Sequence, residues 1–168
     1  MKRRSTVLAL TALTMIALIS AVFAAPSPTP AGGATQISGI GSYAAPGQCT
    51  DPEGQGADFA LIMTGAFSGC HYVFVESARC SPGGAYAETG TEIFVGIYNG
   101  QAGTFRTTYL FTGTYQDCPN LVGEIAGRCE HPIVAGSGTG IFEGVRGRFD
   151  MKDDIEAGNF PYRGHLSF

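Results

Sequence analysis

Asn99-Gly100 sits between two runs, 85–98 and 103–116, in which apolar or aromatic residues alternate with polar ones, and no other feature restricts the fold as strongly. Successive side chains of a strand point to opposite faces, and Asn-Gly supplies the positive backbone angles of a tight hairpin. The rhythm continues on both sides. Strands are read near 57–67, 71–79, 121–130, 146–155 and 160–168, divided by turns at Ser68-Gly69, Ser81-Pro82-Gly83-Gly84, Cys118-Pro119-Asn120 and Ala157-Gly158-Asn159. Beyond residue 24 no window has a sustained helical period; one short helical turn is expected at Gly140–Val145. Seven or eight consecutive antiparallel strands predict an all-β, single up-and-down β-barrel of about eight strands, which removes exposed edges by closing. A two-sheet β-sandwich is the alternative.

The N-terminus places this barrel outside the cytoplasm. Lys2, Arg3 and Arg4 precede an apolar run from Val7 to Phe23, with Val22 and Ala24 at the −3 and −1 positions of a cut. Residues 1–24 therefore read as a secretory signal peptide, 25–45 as a Pro/Gly-rich flexible linker and 46–168 as the barrel domain. An uncleaved membrane anchor is the competing reading of the apolar run. Removing 24 of the 168 residues leaves 144, and loss of the three cations takes the net charge from −4 to −7. Such a surface repels phosphate backbones and anionic bilayers, so no nucleic acid partner is expected, and no membrane partner after cleavage. Homo-oligomerisation is left open.

Parity across the Asn99-Gly100 hairpin sorts the side chains. Even positions of the first strand share a face with odd positions of the second, collecting Tyr86, Glu88, Glu92, Phe94 and Tyr98 with Phe105, Thr107, Tyr109, Phe111 and Tyr115. The other face holds Ile93, Val95, Ile97, Arg106, Leu110 and several threonines. Seven rings of roughly 150 Å² or more each are costly to leave in water. The aromatic face is therefore placed inside, and Glu88 and Glu92 enter the interior with it, about 13 Å apart along the strand. Three readings follow. Either carboxylate is a tentative catalytic or ligand-orienting group in a cavity lined by Tyr86, Phe94, Tyr98, Phe105, Tyr109, Phe111 and Tyr115. Alternatively both lie near the barrel ends, bonded to tyrosine hydroxyls or an arginine. Or the aromatic face is an exterior oligomer interface.

Other polar groups read as ordinary. His131 follows a strand end as a loop histidine, and His71 and His165 are isolated, structural or surface residues. Asp150, Asp153, Asp154 and Glu156 form a solvated strand end that lacks an EF-hand spacing. No metal or cofactor is expected, since no C-x-x-C occurs and the histidines are scattered. Five cysteines in an exported chain imply disulfides. Strand lengths separate Cys70 from Cys80 by about 30 Å, beyond bridging distance, and likewise Cys118 from Cys129. Tracing the hairpins predicts Cys80–Cys118 and Cys70–Cys129, with Cys49 at the Cys80 end as the spare or a competitor.

The segment Gly136-Ser-Gly-Thr-Gly-Ile-Phe-Glu-Gly-Val-Arg-Gly147, followed by Arg148-Phe149-Asp150, resembles the closing segment of allene oxide cyclase-like and dirigent-like barrels, uncharacterised secreted bacterial proteins among them. The resemblance implies an eight-stranded barrel with an apolar cavity; no catalytic residue of either family can be carried over. The first functional expectation is a secreted barrel that binds a small apolar or aromatic molecule inside. The second is a cofactor-free cyclase or isomerase that folds a reactive substrate into one conformer with help from Glu88 or Glu92. The third is a structural or envelope-interaction domain with a filled lumen. Both ligand readings ask for a lumen of about 300 Å³ or more.

Overall fold

The computed structural model describes residues 33–54 and 56–168; the expected signal peptide and the first part of the expected linker lie outside them. Among the described residues nine strands form: β1 (Thr35–Tyr43), β2 (Phe59–Gly65), β3 (Phe67–Cys80), β4 (Ala85–Tyr98), β5 (Gln101–Asp117), β6 (Val122–Pro132), β7 (Thr139–Gly140), β8 (Arg146–Lys152) and β9 (Phe160–Ser167). All pairings are antiparallel. The ring runs β1-β2-β3-β4-β5-β6-β8-β9 and back to β1, an eight-stranded closed barrel, while β7 pairs with the start of β5 where β6 does not reach. No described residue is helical, and Gly140–Val145 is a series of hydrogen-bonded turns.

The β4–β5 hairpin turns at Asn99 (φ 49°) and Gly100 (φ 78°), both in the left-handed region that a two-residue turn demands. Tyr98 then opposes Gln101, Phe94 opposes Phe105, Glu92 opposes Thr107 and Glu88 opposes Phe111. This register points the aromatic face inward, so that face is not an exterior interface. Phe94 and Phe105 are fully buried and Tyr86, Tyr98 and Tyr109 nearly so, with Phe111 and Tyr115 half-buried.

The lumen divides in two. At the Tyr98 end, Phe67 stands amid Phe94, Phe105, Phe142, Phe149 and Tyr162, with ring centroids 5.0–6.0 Å from its own. Phe142, from the Gly-rich turns after β7, plugs this end 4.8 Å from Phe105. The Tyr162 hydroxyl accepts from the Phe67 amide and donates to the Thr64 carbonyl, satisfying two backbone groups the strands leave over. At the other end the side chains described below line an opening.

Strand β1 corrects the expected linker, which was to run to residue 45. It pairs with β2 on one side and β9 on the other and thereby closes the ring. Its inward positions carry little apolar signal because neighbours fill their space: a Cβ on Gly39 would lie 2.4 Å from the Tyr162 hydroxyl and 2.0 Å from the Thr64 carbonyl. The strand lends backbone, and β9 lends the side chain.

Residues 44–54 and 56–58 fold back across the outer wall, where Tyr72 and Ile93 are buried; Tyr72 donates to the Thr50 carbonyl, and Arg106 grips Glu53 at 2.6 and 2.7 Å. Cys49 arrives with this loop and pairs with Cys70 (Cα–Cα 5.9 Å). The expected Cys80–Cys118 bridge forms (Cα–Cα 5.8 Å), and the expected Cys70–Cys129 bridge does not. Cys70 points outward from β3, whereas Cys129 is buried on the lumen side of β6, so a wall of backbone separates their sulfurs.

If β1 closes the barrel, a chain that starts at Ala44 leaves β2 and β9 as two open edges. The cooperative thermal transition of the longer chain, followed by circular dichroism, is expected to vanish and soluble yield to fall. A truncated chain that melts as sharply as one starting at Ala25 would restore the linker reading.

Candidate functional site

Where the barrel is not packed, a cavity of about 200 Å³ opens between β4, β5, β6, β8 and the ends of β1 and β2. Tyr86, Tyr109, Phe111 and Tyr115 line it, as the sequence proposed. Phe94, Tyr98 and Phe105 belong instead to the packed end. Tyr43, Phe59, Leu61, Met151 and Phe160 complete the apolar wall. A volume of 200 Å³ is below the size expected of the lumen. It nonetheless exceeds the ~150 Å³ that suffices for benzene, which restricts an enclosed occupant to about one ring.

Four carboxylates face this cavity, and their environments differ. Glu88 stands midway to the mouth and accepts hydrogen bonds from the Tyr86 and Tyr109 hydroxyls, the latter at 2.8 Å. Burial raises both phenol pKa values well above their ordinary range, and the bonds to Glu88 add to the effect. Both tyrosines therefore remain donors at any physiological pH. Gly90 permits this arrangement, because a Cβ there would meet the Tyr109 ring at 2.7 Å. This is the tyrosine-bonded glutamate that the plainest sequence reading described.

Glu92 is different. It lies deeper, 2% exposed, where three strands bring polar groups together. Thr107 donates its hydroxyl to Glu92 Oε2, His131 Nδ1 lies 2.8 Å from the same oxygen, and His71 Nε2 lies 3.1 Å from it. Burial alone would push this carboxyl upward. The charges of His131 and His71, with the His131 hydrogen bond, overrule burial and hold Glu92 below the usual carboxylate range. Phe149 stacks on the His131 ring at 4.7 Å and 8°, fixing its plane.

Both histidines correct the sequence reading. His131 is neither in a loop nor exposed: β6 continues through Pro132, and the ring is 2% exposed on the lumen side. His71 is fully buried on β3, opposite Phe94 on β4. The signal that would have found His71 is the β3–β4 register. Val73 opposes Glu92, which sets His71 one inward position along from that glutamate's neighbour.

The acidic cluster near the last hairpin also divides. Asp150 faces outward into a bidentate contact with Arg148, as a solvated strand end should. Asp153 is instead half-buried at the cavity mouth beside Glu124. Burial first, then the hydrogen bond and charge of Glu124, push the Asp153 pKa up to about 7. A proton held between the two satisfies Glu124 Oε1, which is buried and has no other partner.

A larger concavity of about 1110 Å³ lies on the outer wall. It is lined by Arg79, Arg128, Lys152, Arg163, Asp150 and the threonines and alanines between them. Arg79, Arg128 and Lys152 are exposed, and the groove lacks the cluster of buried titratable groups that marks the lumen. The chemistry concentrates inside.

The raised Asp153 pKa has a definite sign in stability. The folded state binds this proton more tightly than the unfolded chain, so stability falls as pH rises from about 4 to about 7 and levels off above. Asp153→Asn is expected to flatten that slope in melting temperature measured across the same range. A variant with an unchanged slope would show that Asp153 is not the titrating group. No protein-family model, curated protein or solved structure matches this chain.

Proposed function

We propose that this protein is an extracellular barrel that binds a small, single-ring aromatic or apolar molecule in the open half of its lumen. The observation that carries the reading is a cavity walled by aromatic rings in which Glu88 is held at a fixed position by two tyrosine hydroxyls. Rings supply non-directional burial, and the carboxylate still has lone pairs to accept a hydroxyl or amine of the occupant. Two disulfides are consistent with an oxidising compartment, and the N-terminal sequence supports export. The packed end gives the barrel its stability, which leaves the mouth free to be incompletely filled.

Native mass spectrometry of protein purified from its own host should carry a mass excess of one small molecule. Thermal-shift titration with substituted phenols and aromatic amines should raise the melting temperature of the wild type. Glu88→Gln should weaken that binding about 10-fold or more, the loss of a hydrogen bond to a charged acceptor. Absence of any co-purified mass together with no shift for any single-ring probe would end the reading.

A second reading is supported by one observation. Glu88 and the proton-bearing Asp153–Glu124 pair face the same cavity. A carboxyl that keeps its proton up to about pH 7, as Asp153 does, is the kind of group a cofactor-free isomerase uses as an acid. The resemblance of the closing segment to allene oxide cyclase-like barrels points the same way. On this reading the ligand identified by mass is converted, and Glu88→Gln and Asp153→Asn each slow turnover about 100-fold or more. Turnover unchanged in both variants would leave binding as the whole function.

A further inference from the structure

At the inner end of the cavity, His71, Glu92 and His131 present one ligating atom each, all within 4.8 Å of one another and all essentially fully buried. The three come from β3, β4 and β6, and besides one another Glu92 takes a hydrogen bond from Thr107 of β5. Glu92 Oε2 lies 3.1 Å from His71 Nε2 and 2.8 Å from His131 Nδ1. Ligands about 2.0–2.2 Å from one ion and at roughly right or tetrahedral angles are themselves about 3.0–3.5 Å apart. The two separations to Glu92 are already close to that range, and the two imidazole nitrogens lie within 4.8 Å of each other.

A second observation is independent of those distances. His71 Nδ1 has no hydrogen-bond partner, and Nε2 meets only Glu92 Oε2, at 3.1 Å and out of line for a hydrogen bond, although the ring is 0% exposed. Buried polar atoms without partners are rare and call for an explanation. His131 and Thr107 already donate to that one oxygen, so it is a crowded acceptor for a third donor. A cation between the three residues would accept the His71 lone pair and balance the buried carboxylate at once.

We infer that His71, Glu92 and His131 form a binding site for one divalent transition-metal ion of the zinc class at the inner end of the lumen. Two imidazole nitrogens and one carboxylate oxygen suit Zn²⁺, Co²⁺ or Fe²⁺ and are a poor set for Mg²⁺ or Ca²⁺, which prefer oxygen. Glu92 and His131 both line the cavity, so the remaining coordination position faces the lumen. That is the layout of sites that keep a position for water or a ligand. Cys129, also at the cavity wall, is outside the triad, and burial pushes its thiol far above the range in which thiolate forms.

The test uses the full mature chain, purified under non-reducing conditions, stripped with a chelator and titrated with Zn²⁺ and, separately, Co²⁺. One equivalent is expected to bind. Co²⁺ should give visible d–d bands without sulfur-to-metal charge transfer, and Cys129→Ser should bind equally well. His71→Ala and His131→Ala should weaken binding at least ~100-fold, more than the loss of an outer-sphere partner. Should either variant fail to fold, X-ray absorption at the zinc edge of the wild type decides. It should show two imidazoles and nitrogen or oxygen scatterers at about 2.0–2.1 Å. No saturable binding, a sulfur scatterer, fewer than two imidazoles, or full affinity in folded His71→Ala would each overturn the assignment.

Discussion

The register of β4 against β5 is the constraint on which the other features rest. With Phe94 opposite Phe105 and Glu92 opposite Thr107, one face of a long hairpin delivers both the aromatic packing and the two carboxylates. A slip of one residue would exchange that face for one bearing Arg106, Leu110 and several threonines. Neither the rings nor the acids would then reach the lumen. The two-residue turn at Asn99-Gly100 prevents such a slip locally, and the neighbouring strands prevent it globally, because β3 and β6 meet the hairpin from opposite sides.

The same face is used in two ways along its length. Toward the turn, rings from β3, β8 and the turns after β7 interlock with it and exclude water, and Phe142 seals the end. Away from the turn, β4 and β5 run on past the shorter strands β2 and β8, so fewer partners remain to fill the space. Register shifts at Val75/Ser77 and Thr114/Tyr115 fall in this half, where added twist spreads a barrel rim. Glu92 lies at the boundary between the two regimes. It is deep enough to lose water and close enough to the opening to face it.

How much of this a sequence reveals depends on whether a position speaks for itself or through its neighbours. The hairpin face was legible because alternation and Asn-Gly are both local signals, and Cys80–Cys118 followed from tracing strand ends. Strand β1 was not legible, since its core face includes Gly39 and Gly41, whose space is taken by side chains of β2, β8 and β9. The pairing of Cys70 was missed because end-tracing ignores which side of the wall a residue occupies. His71 and His131 went unrecognised for a related reason. Each is isolated in sequence, and only two strand registers and the barrel's curvature bring them to one oxygen. Asp153 was mistaken for surface because β8 ends just before it and its carboxyl meets Glu124 of β6, across the barrel mouth.

Cys70 and His71 are consecutive residues of β3, one facing out and the other in. The bridge to Cys49 fixes the first from outside, and the peptide unit they share carries that restraint to the second. Oxidising surroundings can thus steady a ring that they never touch. The wall of this barrel is thin enough that its outer chemistry and its inner chemistry are separated by a single residue step.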